Sequence, residues 1–150
     1  MDVSIVKLRD EVANNNVDQK YFKQIFLCYS ALTNAPVIPW NKFTNIINNS
    51  PPSQETYIYK IENAPVGIIT LYIEQKLINS GGLVAHIEDL SIKPENQKQG
   101  IGKTLIEYCI NIARQTGCYK IILDCKQELL DFYKKHNFVN EGHYMCYRIV

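Results

Sequence analysis

The sequence of 150 residues has little of what marks a membrane, nucleic-acid-binding or disulfide-bonded protein. No apolar run approaches the length that crosses a bilayer, which is about 20 residues, and residues 1–10 lack the pattern of a secretion signal. The 16 basic and 15 acidic residues leave a formal net charge of +1, which gives no sign of a nucleic acid or a membrane surface as partner. We therefore expect a cytoplasmic protein with neither partner.

Metal-ligating residues are also sparse and scattered. The three histidines and five cysteines form no C-x-x-C pair, and the number of cysteines is odd. This usage favours reduced, mostly buried thiols over zinc ligands or disulfides, so we expect no metal. His86 shares a strand face with Glu88, but two ligands without a third rarely make a metal site, and we interpret His86 as structural.

The pattern of apolar residues predicts a single domain over residues 1–150. A hydrophobic content of 46% suffices for one core at this length. Strand-like alternation marks 3–9, 55–62 and 66–74, with a hairpin turn at 63–65, and helical spacing runs from Val17 to Leu32. Further elements are predicted after Pro39, over 86–92, 101–113, 118–125 and 127–136, and in a final strand over 143–150. The order β-α-α-β-β-β-α-β-α-β predicts a mixed α+β fold with a central, mostly antiparallel sheet flanked by helices.

The stretch from His86 to Glu107 carries the clearest functional pattern. A strand-like segment leads into the loop 97–103 (QKQGIGK), which opens a helix. Free backbone N–H groups and the helix dipole both favour an anion at such a helix start. Gly100 and Gly102 let the backbone approach it closely. The loop therefore predicts a phosphate or pyrophosphate site.

Three interpretations of this loop are open on the loop residues alone. Gly102-Lys103-Thr104 is similar to the end of a nucleotide-hydrolase P-loop, and 120–124 to the acidic strand that follows, but Gln97 stands where that motif needs glycine. The loop could also be a glycine-rich helix start without a ligand. The pattern Gln-x-x-Gly-x-Gly over 97–102 resembles the pyrophosphate loop of GNAT-superfamily acetyltransferases, which bind acetyl-CoA.

Three further segments strengthen that resemblance. AHIEDLSI (85–92), GCYKIILDC (117–125) and FYKKHNF (132–138) occur in an order and spacing that resemble the glucosamine-6-phosphate N-acetyltransferases, one GNAT family. The likeness extends from Thr33 to Arg148, nearly the whole chain. It implies the GNAT fold, with two neighbouring strands splayed apart. It also implies acetyl transfer from acetyl-CoA to the amine of glucosamine 6-phosphate, in UDP-N-acetylglucosamine biosynthesis, by a homodimer.

The resemblance also implies which residues hold the cosubstrate. Tyr133 would be the general acid that protonates the CoA thiolate, although one of ten tyrosines could equally be an aromatic packed on its helix. The predicted cofactor-binding residues, mainly through their backbone, are Leu90, Ser91, Ile92, Gln97, Lys98, Gln99, Gly100, Ile101, Gly102, Lys103 and Tyr133.

The implied acceptor residues combine carboxylates with cations. Glu88 and Asp89 are neighbours in a strand, so we expect them on opposite faces, which disfavours one shared catalytic task. Asp124 would be the base or would orient the amine, and a phosphate needs cations such as Arg148. The predicted acceptor-binding residues are Thr33, Lys76, Leu77, Ile78, Asn79, Glu88, Asp89, Tyr119, Lys120, Asp124 and Arg148.

The sequence departs from the family pattern at several positions. Leu129 stands where relatives carry an asparagine that helps hold the cofactor, and Asn137 replaces the glycine that ends a helix. Asn79 and the pair Gly81-Gly82 also differ. Two other functions stay open: a GNAT enzyme for another amine, such as a polyamine or a protein N-terminus, and a non-catalytic CoA-binding module.

Overall fold

A computed structural model describes all residues from 1 to 150. The strands are β1 (Val3–Lys7), β2 (Gln54–Ile61), β3 (Ala64–Gln75), β4 (Leu83–Ile92) and β5 (Cys118–Ile122). The helices are α1 (Leu8–Ala13), α2 (Gln19–Tyr29), α3 (Trp40–Asn49), α4 (Ile78–Gly81), α5 (Ile101–Thr116) and α6 (Leu130–Lys134), with 3₁₀ turns at Pro94–Asn96 and Gln127–Leu129. None of these helices has the length and apolar character needed to cross a membrane.

The five strands form one sheet in the order β1-β2-β3-β4-β5. The first three pairs are antiparallel, and only β4 and β5 run parallel. The β2–β3 hairpin turns through Glu62 and Asn63, whose φ angles of 50° and 65° are those of a tight hairpin turn. The predicted mixed fold with a mostly antiparallel sheet is confirmed.

Each face of the sheet is covered by its own apolar cluster. On one face α5 packs with Leu105, Ile106 and Cys109 against the strands. On the other face α1, α2 and α3 pack against Ile58 and Ile68 of β2 and β3. Successive strand residues point to opposite faces, so β2 and β3 are buried on both sides. Burying each such side chain contributes about 1.5–3 kcal/mol.

Several predicted boundaries move in the structure, among them those of β5, which ends at Ile122, and of the last helix, which is divided into a 3₁₀ turn and α6. The strand expected over 3–9 ends at Lys7, because Leu8 is buried at the start of α1. The helix expected from Val17 begins at Gln19, where the Asp18 side chain accepts a hydrogen bond of 2.8 Å from the backbone N–H of Tyr21. Such a cap fixes the first turn of the helix.

The prediction of a final strand over 143–150 is wrong for the single chain. Residues 139–150 form no strand, and their side chains are exposed, Ile149 by 89%. A strand needs a neighbour for its backbone N–H and C=O groups, and this segment has none within the chain. At the end of α6, Asn137 has the left-handed φ of 67° expected of the residue that replaces glycine there.

Candidate active site

The start of α5 presents a row of backbone donors. None of the N–H groups of residues 98–103 donates to another backbone group, and the first helical bond runs from Thr104 to Gly100 at 3.0 Å. Lys98 and Gly100 have φ angles of 61° and 81°, which turn the loop so that the donors lie at the positive end of the helix. This geometry can bind an anion such as a pyrophosphate.

Side chains of the loop hold its backbone in place. The Gln97 side-chain amide donates to the Ile92 carbonyl at 3.2 Å, and that of Gln99 donates to the Glu95 carbonyl at 3.4 Å. A Cβ at Gly102 would lie 3.5 Å from the Phe132 ring, an ordinary contact, whereas a Cβ at Gly100 would meet nothing but require a left-handed backbone. The loop therefore requires glycine at position 100 for its backbone conformation.

Beyond the loop, β4 has an open edge. The pairing of β4 with β5 ends at His86 and Ile122, although β4 continues to Ile92. β5 itself ends at Ile122, so β4 has no neighbouring strand on this side beyond His86. The backbone of residues 87–92 can hydrogen-bond an extended chain as an added strand would. The Ser91 hydroxyl is occupied, because it donates to the Cys28 carbonyl at 2.6 Å.

The expectation that Glu88 and Asp89 point to opposite faces is wrong. The register between β3 and β4 shifts, so that Ile68 pairs with Ser91 but Thr70 with Glu88, and Asp89 has a φ of 52°. Such a bulge re-aims side chains. Both carboxylates consequently line one cavity of about 450 Å³. Burial, and then the charges of Asp124 and Asp89, raise the pKa of Glu88.

This cavity lies between the sheet and helices α2 and α3. Its wall is largely apolar and includes Phe26, Ile38 and Ile47, whereas Glu88 and Asp89 are charged. Sequence analysis did not identify Tyr29, Thr70 or Tyr72 as part of the site, although all three line the cavity. In the sequence, Tyr29 is marked only as an apolar position of a helix. Thr70 and Tyr72 lie in a strand and belong to no recognisable motif.

Tyr133 is packed in the core cluster under α5. Its side chain is 8% exposed, and its ring contacts Phe132 and Phe138 at centroid distances of 5.0 and 5.8 Å. Burial, with smaller effects from Cys125 and Asp124, raises the pKa of Tyr133 to about 12. The phenol therefore keeps its proton at neutral pH. The charge of Asp124 contributes to the raised pKa of both Glu88 and Tyr133.

Two of the predicted phosphate-binding cations each have a neighbouring side chain of their own. Lys76 Nζ lies 2.9 Å from Glu74 Oε1, and the same oxygen contacts His86 Nε2 at 2.9 Å. Lys120 Nζ lies 5.9 Å from the centroid of the Tyr119 ring.

The other predicted acceptor residues are exposed. Leu77 is 98% exposed, Ile78 is largely exposed, and Asn79 has a left-handed φ of 49°. Thr33 follows α2, where its N–H donates to the Tyr29 carbonyl at 3.0 Å, and Arg148 lies in the exposed terminal segment. Leu77, Ile78 and Asn79 directly follow Lys76, whose N–H donates to the Gly82 carbonyl at 2.9 Å. A Cβ at Gly82 would lie 2.7 Å from the Tyr119 ring, so this part of the predicted set lies next to Tyr119.

Comparison with known proteins agrees with this geometry. The family model of the GNAT acetyltransferases matches residues 20–138. The chain therefore belongs to the GNAT acetyltransferase family, whose members are N-acetyltransferases.

Within that family the sequence is similar to glucosamine 6-phosphate N-acetyltransferases. The enzyme of that name from Candida albicans is 34% identical over 127 residues, which cover 81% of this chain and 85% of that protein. A probable glucosamine 6-phosphate N-acetyltransferase 2 from Oryza sativa subsp. japonica is 39% identical over 72 residues, covering 48% of this chain but 43% of the rice protein. A solved acetyltransferase from Trypanosoma brucei is 26% identical, with a TM-score of 0.85 over 99% of this chain and 100% of that one.

Proposed function

We propose that this chain transfers the acetyl group of acetyl-CoA to the amine of glucosamine 6-phosphate, releasing N-acetylglucosamine 6-phosphate and CoA. The observation that carries the proposal is one continuous path along β4. Free N–H groups of residues 98–103 stand at one end, the open edge of 87–92 follows, and the carboxylates of Glu88 and Asp89 lie beside that edge. The similarity to the Candida albicans enzyme supports the choice of acceptor.

The donor half of the reaction depends mostly on backbone groups. The N–H groups at the start of α5 bind the pyrophosphate, and the edge of β4 binds the amides of the pantetheine arm. Tyr133 transfers its hydroxyl proton to the CoA sulfur as the C–S bond breaks. Its raised pKa keeps that proton available across the neutral and mildly alkaline range.

The acceptor half uses the carboxylates. Asp124 orients the amine through its side chain or its carbonyl, and if the side chain is the group in contact, its carboxylate accepts the amine proton as the new C–N bond forms. Glu88 and Asp89, turned into one cavity by the bulge, bind the hydroxyl and ammonium groups of the sugar. The phosphate is bound by cations drawn from Lys76, Lys120 and Arg148, with Arg148 best suited by its bidentate geometry.

We infer that the acceptor site is completed in a homodimer. The predicted acceptor residues Leu77 and Ile78 are exposed apolar side chains, and residues 143–150 have strand-like composition without a partner strand. A second copy of the chain can supply that partner and bring its own Arg148 to the neighbouring site. Five unpaired cysteines support a reducing, cytoplasmic location.

Thiol release from acetyl-CoA with a panel of amines tests the function. Glucosamine 6-phosphate should be acetylated with a kcat/KM far above that of glucosamine, because only the former offers a dianion to the cations. Spermidine and a peptide amine serve as the alternative acceptors. Equal kcat/KM for the two sugars, or a preference for spermidine or the peptide, would contradict the proposed substrate, and a requirement for magnesium would indicate a nucleotide hydrolase instead.

A further inference from the structure

The cavity that holds Glu88 and Asp89 extends across three strands of the sheet. Thr70 of β3 pairs with Glu88 of β4 on one side and with Thr56 of β2 on the other, and all three residues line the cavity. Because neighbouring strands lie about 4.7–4.9 Å apart, the backbone of Thr56 stands roughly 10 Å from that of Glu88. The cavity therefore has a carboxylate end on β4 and a second end over β2.

The end of the cavity over β2 is bordered by apolar side chains of α3. Arg9 ties the end of this helix to the start of β2, because its guanidinium donates to the Ser50 carbonyl at 2.8 Å and to the Gln54 carbonyl at 3.1 Å. Residues at i, i+3 and i+4 share one face of a helix. The three that line the cavity, called here the apolar arm, are Phe43, Ile46 and Ile47.

The apolar arm is within reach of a ligand and favours an apolar group. Ile46 is 49% exposed and Ile47 is half-buried, so apolar surface of the arm is open to solvent. On the floor of the cavity, the Thr56 and Thr70 hydroxyl oxygens lie 2.9 Å apart and hydrogen-bond each other. A ligand that displaces water from this surface gains more from an apolar group than from a hydroxylated one.

The proposed sugar reaction leaves the apolar arm unused. Lys76, a proposed phosphate-binding residue, directly follows the end of β3, so a sugar phosphate that reaches it from Glu88 extends along the strands. The apolar arm lies across the strands, at roughly a right angle to that direction. The two directions share the carboxylates of Glu88 and Asp89.

We propose that this chain also acetylates primary amines that carry a compact apolar group on a short linker, with arylethylamines as the chemical class. The ammonium group binds to Glu88 and Asp89, and the aromatic ring binds to the apolar arm. An ethyl linker and a phenyl ring fit within the span of roughly 10 Å between β4 and β2. This inference rests on the proposed acetyl transfer and adds a second class of acceptor to it.

The chemical step is the one proposed for the amino sugar. The neutral amine attacks the acetyl carbonyl carbon, and the C–N bond forms as the C–S bond of the thioester breaks. The amine loses one proton to Asp124 or to water, and the CoA sulfur takes the hydroxyl proton of Tyr133. The products are the N-acetylated amine and CoA, so the step needs no further reactant.

Thiol release from acetyl-CoA with 2-phenylethylamine and ethanolamine as acceptors tests the proposal. Ethanolamine is an amine of similar basicity with a hydroxyl in place of the ring. The kcat/KM for 2-phenylethylamine should be about ten- to hundredfold higher, because only this amine buries a phenyl ring in the apolar arm. In a titration without acetyl-CoA, 2-phenylethylamine should cause saturable amide NMR shifts at residues 43–47 and 88–89.

Ile46→Asn makes the apolar arm polar at a half-exposed position. It should lower kcat/KM for 2-phenylethylamine about fivefold and leave that for glucosamine 6-phosphate at the wild-type level. Leu27→Asn is the matched control, because Leu27 is also 49% exposed but does not line the cavity. Both measurements with the two amines use the wild-type chain, so they decide the question even if Ile46→Asn does not fold.

The outcomes separate this inference from the proposed function. Acetylation of glucosamine 6-phosphate without a preference for 2-phenylethylamine over ethanolamine would overturn the inference and leave the proposed function standing. An equal loss in Ile46→Asn and Leu27→Asn would also overturn it. Acetylation of 2-phenylethylamine but not of glucosamine 6-phosphate would support the apolar arm and contradict the proposed sugar acceptor.

Discussion

The two halves of the candidate active site are built in different ways. The cosubstrate half consists of backbone: free N–H groups at residues 98–103 and the open edge of β4, both present within one chain. The acceptor half consists of side chains on separate elements. Its carboxylates are in place, but Arg148 lies in an exposed segment and Lys76 is paired with Glu74.

This difference explains why one half is complete in the isolated chain. Backbone donors follow from the fold itself, so any sequence that makes the strand, loop and helix supplies them. Long cationic side chains must be ordered on binding, at an entropic cost of up to about 2 kcal/mol each. We therefore expect the acceptor half to be ordered by the ligand, or by the second chain of the proposed homodimer. The following predictions test the two halves separately.

The largest effect is expected at Tyr133, the proposed general acid. Tyr133→Phe should lower kcat by about 10²–10⁴-fold, because the thiolate loses a positioned proton donor. The KM for acetyl-CoA should change little, since the ring still packs against Phe132 and Phe138. Because the pKa of Tyr133 is raised to about 12, wild-type activity should show no loss from its ionisation between pH 7 and roughly 10.

Tyr57→Phe provides the matched control for this substitution. Tyr57 is buried in the same cluster as Tyr133, but its ring contacts Tyr108. It should keep kcat near the wild-type value. If Tyr133→Phe, measured where chemistry limits the rate, stays within a few-fold of wild type, Tyr133 is only a packing residue.

Removal of residues 143–150 should affect the acceptor half alone. We expect kcat/KM for glucosamine 6-phosphate to fall about 10–100-fold, the loss expected when one charged hydrogen-bond partner is removed. Acetyl-CoA affinity should remain within a few-fold of wild type, and light scattering should show the proposed dimer converted to a monomer.

A mixed dimer of Arg148→Ala and Tyr133→Phe subunits should regain part of the activity. No recovery in verified heterodimers would show that Arg148 does not reach the neighbouring site.

Sequence reasoning predicted the local geometry of the cosubstrate half better than that of the acceptor half, for physical reasons. The spacing of the glycines predicts the loop 97–103. The positive φ at Gly100 and Asn137 is expected because glycine and asparagine adopt the left-handed conformation more readily than other residues. The bulge that turns Glu88 and Asp89 into one cavity could not be predicted from the sequence. Strand alternation predicts an extended backbone at Asp89, whereas its φ in the structure is positive. The final strand over 143–150 is absent because no strand of the chain pairs with that segment.

Contacts between distant side chains were also beyond the sequence. The pairing of Lys76 with Glu74 and of Glu74 with His86 depends on the register of β3 against β4, which no spacing reveals. The same holds for the burial of Glu11 against Lys60, which are 49 positions apart. Periodicity predicts which face a residue lies on, but not which residue it meets there.

The two loop glycines offer a test within the cosubstrate half. Gly100→Ala forces a left-handed alanine, which costs about 1 kcal/mol, and should raise the KM for acetyl-CoA about fivefold. Gly102→Ala, whose Cβ would make an ordinary contact with Phe132, should change it by about twofold or less. The same order should appear in the KM for acetyl-CoA with any acceptor. An equal effect of both substitutions would mean that the loop tolerates a left-handed alanine. Glycine would then be needed at both positions for close approach of the ligand and not for the backbone conformation.

The smallest effect is expected at Leu129, where the cosubstrate half departs from its relatives. Leu129 lies in the 3₁₀ turn before α6 and is 44% exposed, so replacing it removes little core packing. Leu129→Asn restores a side chain that can hydrogen-bond the cofactor, and one such bond contributes about 0.5–1 kcal/mol at an exposed position. We expect acetyl-CoA to bind about two- to fivefold more tightly, by titration calorimetry, with the KM of glucosamine 6-phosphate unchanged. Leu129→Ala is the control, since it removes the leucine without adding a polar group and should not tighten binding. If alanine and asparagine behave alike, the side chain at this position does not reach the cofactor, and the backbone groups of the loop and β4 hold it without that contact.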